Sequence, residues 1–272
     1  NYDDLLNSEN IEAVYIPLPN ALHYEWIKKS LERGLHVLVE KSMACSYDEV
    51  LELNHLAKEK GLELIENFQF RFHSQLKYIK ELIDDGKIGE LRNIRSSFCF
   101  PPFDDKNNIR YSEKLGGGAL LDAGAYTLKI SQIFMNDDIY VDASSLHKDV
   151  NMNIDIWGSA YLKQKNGSLT SQVSFGFDNF YQCNIELLGT KGKIYTNRIF
   201  TSPPNYKPVI ELETSEGKET ILLNEDNHFK NMLTHFYNQI INKDELNNEY
   251  QNNIIQSRLL NELLVKSKKD NV

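Results

Sequence analysis

The first third of the chain alternates short apolar runs with stretches of helical period. The run AVYIP occupies residues 13–17, a helical stretch follows from about Leu22 to Arg33, and the run HVLVE occupies 36–40. Gly34 directly follows the helical stretch, at a position where glycine commonly ends a helix. The pattern therefore predicts a strand, a helix and a second strand.

The alternation of strand and helix repeats between residues 46 and 66. Ser46 and Glu49 have the spacing of a capping box, so a helix is predicted to begin there and to run to Lys60. Gly61 predicts the end of this helix, and the apolar run LELIE follows at 62–66. Strands that alternate with helices in this way indicate right-handed crossovers and a parallel sheet.

Beyond residue 139 the apolar period changes to two, which is typical of half-buried strands. Asn166 and Gly167 predict a hairpin between two of these strands, and two helices are predicted near 226–242 and 246–268. The pattern therefore predicts an α/β part followed by an α+β part, which has an open antiparallel sheet with helices on one face. The alternating segments are YVDASSL, DIWGSAYLK, SLTSQVSFGF and YQCNIELLG.

Polar residues follow each of the three predicted parallel strands. They are the segments PLPNALH at 17–23, Glu40-Lys41-Ser42 and Glu66-Asn67. Ligands of open parallel sheets bind outside the carboxyl ends of the strands, so these residues predict a binding edge. A polar residue after a single strand is more often just a solvated side chain. The three segments together favour a ligand site because they are expected to lie at the same edge of the sheet.

Composition and charge exclude several classes of protein. The 272 residues carry a formal net charge of −9, and Lys and Arg are scattered, which argues against a nucleic-acid partner. No apolar run reaches the ~20 residues of a membrane helix, and the acidic start NYDDLLNSEN is unlike a signal peptide. Cys45, Cys99 and Cys183 have the spacing of neither a disulfide framework nor a zinc site, so we expect a cytoplasmic protein without a metal.

The stretch LGGGALLDAGAY, at 115–126, predicts a helix that begins near Gly117. G-x-G-x-x-G occurs nowhere in the chain, so this stretch is not predicted to cradle a phosphate. Asp122 and Tyr126 lie four residues apart, which places both on one face near the helix amino terminus. On spacing alone, a half-buried core tyrosine and a helix-start charge explain these two residues as well.

Four segments in this order, VYIPLPNALH, HVLVEKS, ENFQFRFH and LGGGALLDAGAY, resemble the Gfo/Idh/MocA family of oxidoreductases over nearly the whole chain. Members of that family have an N-terminal Rossmann domain and a C-terminal domain whose open sheet often mediates oligomerisation. The resemblance implies that residues 1–68 are the C-terminal part of a Rossmann domain, with an incomplete parallel sheet, and that 69–272 form a substrate-binding and oligomerisation domain. The other half of the Rossmann sheet, with its glycine fingerprint, is expected to precede Asn1, because NYDDLL looks like the tail of a helix without room for a cap.

The resemblance implies an NAD- or NADP-dependent oxidoreductase with three catalytic residues. Tyr126 is expected to be the general acid for a carbonyl oxygen, Lys41 its electrostatic partner, and Asp122 the residue that orients the substrate or Tyr126. Arg71, with Asp122 and Tyr126, is expected to contact the substrate, although an interdomain salt bridge explains Arg71 about equally well. The residues expected to bind the cofactor are Pro17, Leu18, Asn20, His23, Glu40, Lys41 and Asn67.

Two positions depart from the usual family motif. Ser42 stands where proline is usual, so we expect Lys41 to be presented less rigidly. Tyr126 stands where many members have histidine, as in the branches similar to glucose-fructose oxidoreductase, dimeric dihydrodiol dehydrogenase and nucleotide-sugar ketoreductases. The segment at 175–194 looks most similar to the sugar-nucleotide members.

The resemblance therefore predicts alcohol and ketone interconversion on a sugar or nucleotide-linked sugar, impaired in this chain by the missing glycine loop. A non-catalytic sugar-binding or oligomerising remnant is one alternative. A dihydrodiol or polyol dehydrogenase is another. A homodimer or homotetramer is expected to form through the free face of the second sheet.

Overall fold

The computed structural model describes residues 1–105, 107–242 and 246–269, which fold around two sheets. The first part contains α1 (Tyr2–Leu6), β1 (Ala13–Ile16), α2 (Asn20–Glu32), β2 (His36–Glu40), α3 (Tyr47–Lys60) and β3 (Leu64–Asn67). The middle contains α4 (Ser74–Asp84), β4 (Leu91–Cys99), α5 (Ala125–Met135), β5 (Ile139–Asp149), β6 (Ile154–Gln164) and β7 (Thr170–Gly176). The last part contains β8 (Gln182–Gly189), β9 (Gly192–Asn197), β10 (Val209–Thr214), β11 (Gly217–Leu222), α6 (His228–Asn242) and α7 (Leu246–Lys269).

The first sheet is parallel and has three strands in the order β1-β2-β3. Ala13 pairs with His36 and Val37 pairs with Leu64, so the three carboxyl ends lie at one edge. The parallel sheet predicted from the alternation of strands and helices is confirmed, and ligand binding at its edge stays a prediction. Helices α2 and α3 pack on one face of the sheet, and α6 packs on the other.

Side chains cap two helices of the part of the chain that contains the parallel sheet, namely α1 and α3. Ser46 accepts a hydrogen bond from the backbone N–H of Glu49, and the Glu49 carboxylate accepts one from Ser46 N–H, which confirms the predicted capping box. Asn1 caps α1 in the same way, because its Oδ1 accepts from Asp4 N–H at 2.8 Å. The expectation that NYDDLL has no room for a cap was therefore wrong.

The second sheet has eight strands in the order β11-β10-β9-β8-β4-β7-β6-β5. It is antiparallel except for one pair, since β4 runs parallel to β7. The expected antiparallel sheet is thus a mixed sheet. The reason is topological: β4 lies between β7 and β8, which run in opposite directions, and must be parallel to one of them.

The two faces of the second sheet differ. One face packs against α5 and α7 through apolar side chains such as Ile94, Val173 and Ile185. The opposite face carries the exposed side chains of Arg95 and Gln172, among others. Residues 166–167 lie in the turn of the β6–β7 hairpin, as predicted.

Helix α7 forms hydrogen bonds next to the parallel sheet and to the eight-stranded sheet. Tyr250 Oη donates to the carbonyl of Leu62 at 2.6 Å, and Asn253 Nδ2 donates to the carbonyl of Leu64 at 2.9 Å. Further along α7, Glu262 accepts from the backbone N–H of Val141 at 2.9 Å. The same helix therefore contacts both sheets. No helix of the described ranges is long and apolar enough to cross a membrane.

Candidate active site

The carboxyl edge of the first sheet meets the glycine-rich stretch that precedes α5. Asn20 Nδ2 donates to the carbonyl of Gly116 at 2.9 Å, and Asn20 Oδ1 accepts from Ser42 N–H at 3.1 Å. Ser42 Oγ donates to the carbonyl of Leu121 at 3.0 Å. These hydrogen bonds hold Ser42, the residue after Lys41, in place. A proline at this position would restrain the backbone through its ring instead.

Asp122 lies between two cations. Lys41 Nζ donates a short hydrogen bond to Asp122 Oδ1, and Arg110 Nε donates to Asp122 Oδ2 at 2.6 Å. The Asp122 side chain is 16% exposed. Burial by itself would raise the pKa of Asp122, but Lys41 and Arg110 outweigh it and hold this pKa below its usual value. Asp122 is thus an ionised group at neutral pH.

Tyr126 is buried in a group of phenylalanine rings that we call the aromatic box, formed by Phe68, Phe70, Phe98 and Phe200. The ring centroids of the box lie 5.0–5.8 Å from that of Tyr126. Both polar atoms of the Gln69 amide lie 3.4 Å from the Tyr126 hydroxyl. Burial raises the pKa of Tyr126 above its usual value, so the phenol keeps its proton.

Lys41 also contacts Tyr126, as predicted, but through the ring. Its Nζ lies 5.1 Å from the ring centroid, within the range of a cation–π contact. The hydrogen bonds of the ammonium go to Asp122, at its carboxylate and at its carbonyl oxygen. The three predicted catalytic residues are therefore together, and Asp122 and Tyr126 face the same side.

The backbone between the glycines and α5 differs from the predicted helix. Gly116 and Gly118 have φ values of 73° and 117°, and α-helical geometry begins only at Ala125, after a π-helical turn over Leu120–Gly124. A Cβ atom on Gly118 would lie 2.6 Å from Oδ1 of Asp155, whose other oxygen accepts from Leu120 N–H. The glycines thus allow a close approach between backbone and Asp155.

A cavity of about 180 Å³ opens between the sheet edge and the glycine stretch. Four of the residues predicted to bind the cofactor line it, namely Leu18, Asn20, Glu40 and Lys41. Asn67 is fully buried beside it, and its Nδ2 donates to Glu40 at 2.7 Å. Asn67 Oδ1 has no hydrogen-bond partner in the described residues, so an acceptor is left at this edge for a bound group. Contact of these five residues with a cofactor stays a prediction, which their common edge supports.

His23 and Pro17 do not line this cavity. His23 is fully buried, with Nδ1 2.7 Å from the carbonyl of Ser42 and Nε2 2.7 Å from that of Leu18. It holds the two segments that carry cavity residues. Contact of His23 or Pro17 with a cofactor stays a prediction.

Arg71 is engaged away from the cavity. Its Nη1 and Nη2 donate to the two carboxylate oxygens of Glu249 at 3.1 and 2.7 Å. Glu249 belongs to α7, and its pKa is held well below its usual value because Arg71 and His235 outweigh the effect of burial. The geometry favours the salt bridge over a substrate contact for Arg71.

Sequence reasoning missed Arg110. It precedes the glycine triplet by six residues, binds Asp122 and lies with its guanidinium 5.0 Å from the Phe103 ring. A basic residue just before a glycine-rich stretch was the available signal. Only the folded chain reveals that it contacts Asp122.

Two family models match the chain. One is described as "Oxidoreductase family, NAD-binding Rossmann fold" and matches residues 1–68. The other is the GFO/IDH/MocA C-terminal domain, and it matches residues 76–195.

Curated proteins of similar sequence include two sugar reductases. The dTDP-3,4-didehydro-2,6-dideoxy-alpha-D-glucose 3-reductase of Actinomadura kijaniata is 33% identical over 259 residues, covering 95% of this chain and 77% of the relative. The enzyme of the same name from Streptomyces violaceoruber is 36% identical over 222 residues, covering 82% of this chain and 65% of the relative.

Solved structures show the same fold. KijD10, a 3-ketoreductase from Actinomadura kijaniata in complex with NADP and TDP-benzene, superposes with a TM-score of 0.93 at 32% identity. The match covers 98% of this chain and 81% of that one. Aldose-aldose oxidoreductase from Caulobacter crescentus superposes with a TM-score of 0.87 at 18% identity, covering 99% and 81%, a likeness of fold alone.

Proposed function

This chain belongs to the Gfo/Idh/MocA family of NAD(P)-dependent oxidoreductases, and we propose that it reduces the 3-keto group of a dTDP-linked deoxysugar with NADPH. The family relation is the premise, and the substrate is taken from the names of the sugar reductases that resemble the chain. The choice of NADPH over NADH rests on the KijD10 complex, which contains NADP.

The contact of Lys41 with both Asp122 and Tyr126 carries the proposal. A buried phenol that keeps its proton, an ammonium beside it and an ionised carboxylate converge next to a cavity at the cofactor edge. Reduction of a ketone requires a hydride on carbon and a proton on oxygen. The three residues supply the proton and the charge that the second half of this reaction needs.

The dinucleotide supplies the hydride to the carbonyl carbon when it is bound. Tyr126 gives its hydroxyl proton to the carbonyl oxygen, which becomes the alcohol. The phenolate that remains is stabilised by the Lys41 ammonium, and a proton from solvent restores the phenol. Asp122 orients Lys41 by accepting two hydrogen bonds from its ammonium group. In the reverse direction Tyr126 is the base.

A polypeptide of residues 1–272 is expected to bind the cofactor weakly. Its sequence has no G-x-G-x-x-G fingerprint, although four of the residues predicted to bind the cofactor line the cavity. Reduced turnover of this chain therefore stays part of the proposal.

The test is NADPH consumption in the presence of a dTDP-linked 3-keto sugar. We expect consumption that requires the sugar and that falls at least 100-fold in Lys41→Met. The matched control is Lys28→Met, because Lys28 is an exposed lysine paired with Glu52. If the folded chain binds NADPH and the sugar, as measured by calorimetric titration, yet consumes no NADPH, the proposal of reduction is wrong.

We also propose that the chain forms a homodimer or homotetramer through the open face of the second sheet. The exposed apolar side chains of Trp157 and Leu188 on that face support the proposal. A location in the cytoplasm stays a prediction from the cysteine spacing.

A further inference from the structure

Two exposed aromatic residues and an arginine lie at the end of the second sheet that carries the aromatic box. Phe180 is 85% exposed and Tyr181 is 38% exposed, in the loop between β7 and β8. The guanidinium of Arg198, directly after β9, lies 5.4 Å from the centroid of the Tyr181 ring. We call Phe180, Tyr181 and Arg198 the rim cluster.

The rim cluster is continuous with the candidate active site. Arg198 is two residues before Phe200, so their Cα atoms are at most about 7 Å apart. The Phe200 ring lies 5.7 Å from that of Tyr126. The rim cluster therefore lies beside the wall of the aromatic box that surrounds Tyr126.

A second chain of contacts leads to the same place. The Arg110 guanidinium lies 5.0 Å from the Phe103 ring, and Phe103 lies 5.6 Å from Phe177, where the loop of Phe180 begins. The loop is held by a hydrogen bond from Asn179 N–H to the carbonyl of Phe100 at 3.1 Å. The rings of Phe180 and Tyr181 are thus positioned by the ends of β4 and β7, which also carry Phe98 and, directly after β7, Phe177.

Arg198 has a charge that the described residues do not neutralise. Its guanidinium forms no salt bridge or side-chain hydrogen bond within the described ranges, and its φ of 56° is in the left-handed region. The loop also carries Asp178, which forms no ion pair with Arg198. The guanidinium, held against the Tyr181 ring, therefore keeps its N–H groups available for an anionic ligand.

We propose that the rim cluster binds the nucleotide part of the substrate, with the base stacked on Phe180 and the diphosphate paired with Arg198. This inference rests on the proposed function, since it assigns the distal part of the same substrate. Aromatic rings stack on bases, and guanidinium groups bind phosphate oxygens in a fork. Tyr181 holds Arg198 in position through its ring face.

The test uses two ligands that separate the base from the phosphates. The chain is titrated calorimetrically with dTDP and with inorganic pyrophosphate, as wild type and as variants. Phe180→Ala is expected to weaken dTDP binding about 5- to 100-fold and to leave pyrophosphate binding unchanged. Arg198→Gln is expected to weaken both ligands about tenfold or more, with partial recovery in Arg198→Lys.

Phe229→Ala is the matched control, because Phe229 is also exposed, at 44%, but lies on α6. The inference is overturned if wild type does not bind dTDP, or if Phe180→Ala and Arg198→Gln bind it as wild type does. It is also overturned if these variants change the sedimentation coefficient and not the affinity, since the rim cluster would then contact a second copy of the chain.

The same experiments separate this inference from the proposed function. NADPH-dependent reduction of an unlinked 3-keto sugar without any dTDP binding keeps the oxidoreductase and removes the rim site. Binding of dTDP that depends on Phe180, without reduction of any keto sugar, keeps the rim site and removes the reductase.

Discussion

The chemistry of Tyr126 follows from its neighbours more than from its own position. The spacing to Asp122 predicted a common face, and Lys41 contacts both residues. The sequence could not predict that the ammonium would donate to Asp122 and present only its charge to the ring. Nor could it reveal Arg110, because that contact depends on how the loop before the glycines folds back.

Tyr126→Phe should remove the proton donor and little else. The aromatic ring that fills the box is kept, so we expect kcat to fall about 100- to 10,000-fold while the Kd for NADPH stays within twofold. Steady-state kinetics measure kcat, and calorimetric titration measures the Kd for NADPH.

Tyr195→Phe serves as the control for a lost tyrosine hydroxyl. Tyr195 donates to Asn197 and lies away from the box. An equal loss of turnover and cofactor affinity in Tyr126→Phe would contradict its role as general acid.

Glu63 predicts a pH dependence of stability that has no link to catalysis. It is 1% exposed, neither carboxylate oxygen has a hydrogen-bond partner in the described ranges, and burial raises its pKa to about 7 from 4.5. The folded state therefore binds this proton more tightly than the unfolded state does. The free energy of unfolding should fall as pH rises from about 4.5 to 7, by roughly 3 kcal/mol at most, and then level off.

Glu63→Gln removes the titrating group and keeps its shape. We expect the variant to be more stable than wild type at pH 8, and the difference to shrink as pH falls toward 5. Urea unfolding at several pH values measures it. Glu32→Gln, on the exposed side of α2, should leave the profile unchanged. A Glu63→Gln profile parallel to wild type would contradict the assignment.

At the scale of elements, the alternation of apolar runs and helical stretches correctly predicted the strands of the first sheet and the helices between them. The glycine-rich stretch at 115–126 predicted an α-helix from about Gly117, whereas α-helical geometry begins at Ala125. Strands β1 and β2, the capped helix α3 and the hairpin after β6 confirm the sequence prediction, because each depends on local period and turn residues. The π-helical turn before α5 depends on Asp155, which is distant in the sequence and accepts from Leu120 N–H. No local pattern contains that information.

Gly118→Ala tests how closely that stretch is held. Its φ of 117° strains any side chain, and a Cβ would lie 2.6 Å from Asp155 Oδ1. Gly217→Ala is the matched control, since φ is 136° there and nothing lies within 4 Å of the added atom. We expect Gly118→Ala to cost about 1–3 kcal/mol more than Gly217→Ala in urea unfolding and to lower kcat, because Asp122 moves with the turn. Equal losses of unfolding free energy in the two variants would mean that the Asp155 side chain moves aside without a measurable cost.

At the scale of the whole molecule, the first sheet was predicted as parallel and the second as antiparallel, and the insertion of β4 between β7 and β8 was not predicted. That insertion joins residues some 80 positions apart, as in the pair Ser97 and Ser174, so alternation within one strand cannot reveal it. The free face of this sheet was predicted from the alternation itself, and its exposed side chains include the apolar Trp157 and Leu188 beside polar ones.

Ser159→Arg should test assembly through that free face. Ser159 is exposed on β6, beside a shallow depression of about 670 Å³. An arginine there should shift the chain toward monomer in sedimentation velocity experiments, because a charge and a long side chain would enter the interface. Ser215→Arg, in the exposed turn between β10 and β11, should not shift it. A wild-type chain that is monomeric at all concentrations would contradict the proposal.

The hydrogen bonds of α7 to both sheets bear on how a substrate enters and leaves. Its 24 residues span about 36 Å and are attached to the backbone of β3 at one end and to that of β5 further along. A hinge between the two sheets would have to bend this helix or break those bonds. The hydrogen bonds of α7 therefore act against a hinge motion between the two sheets, and ligand exchange through such a motion would have to overcome them.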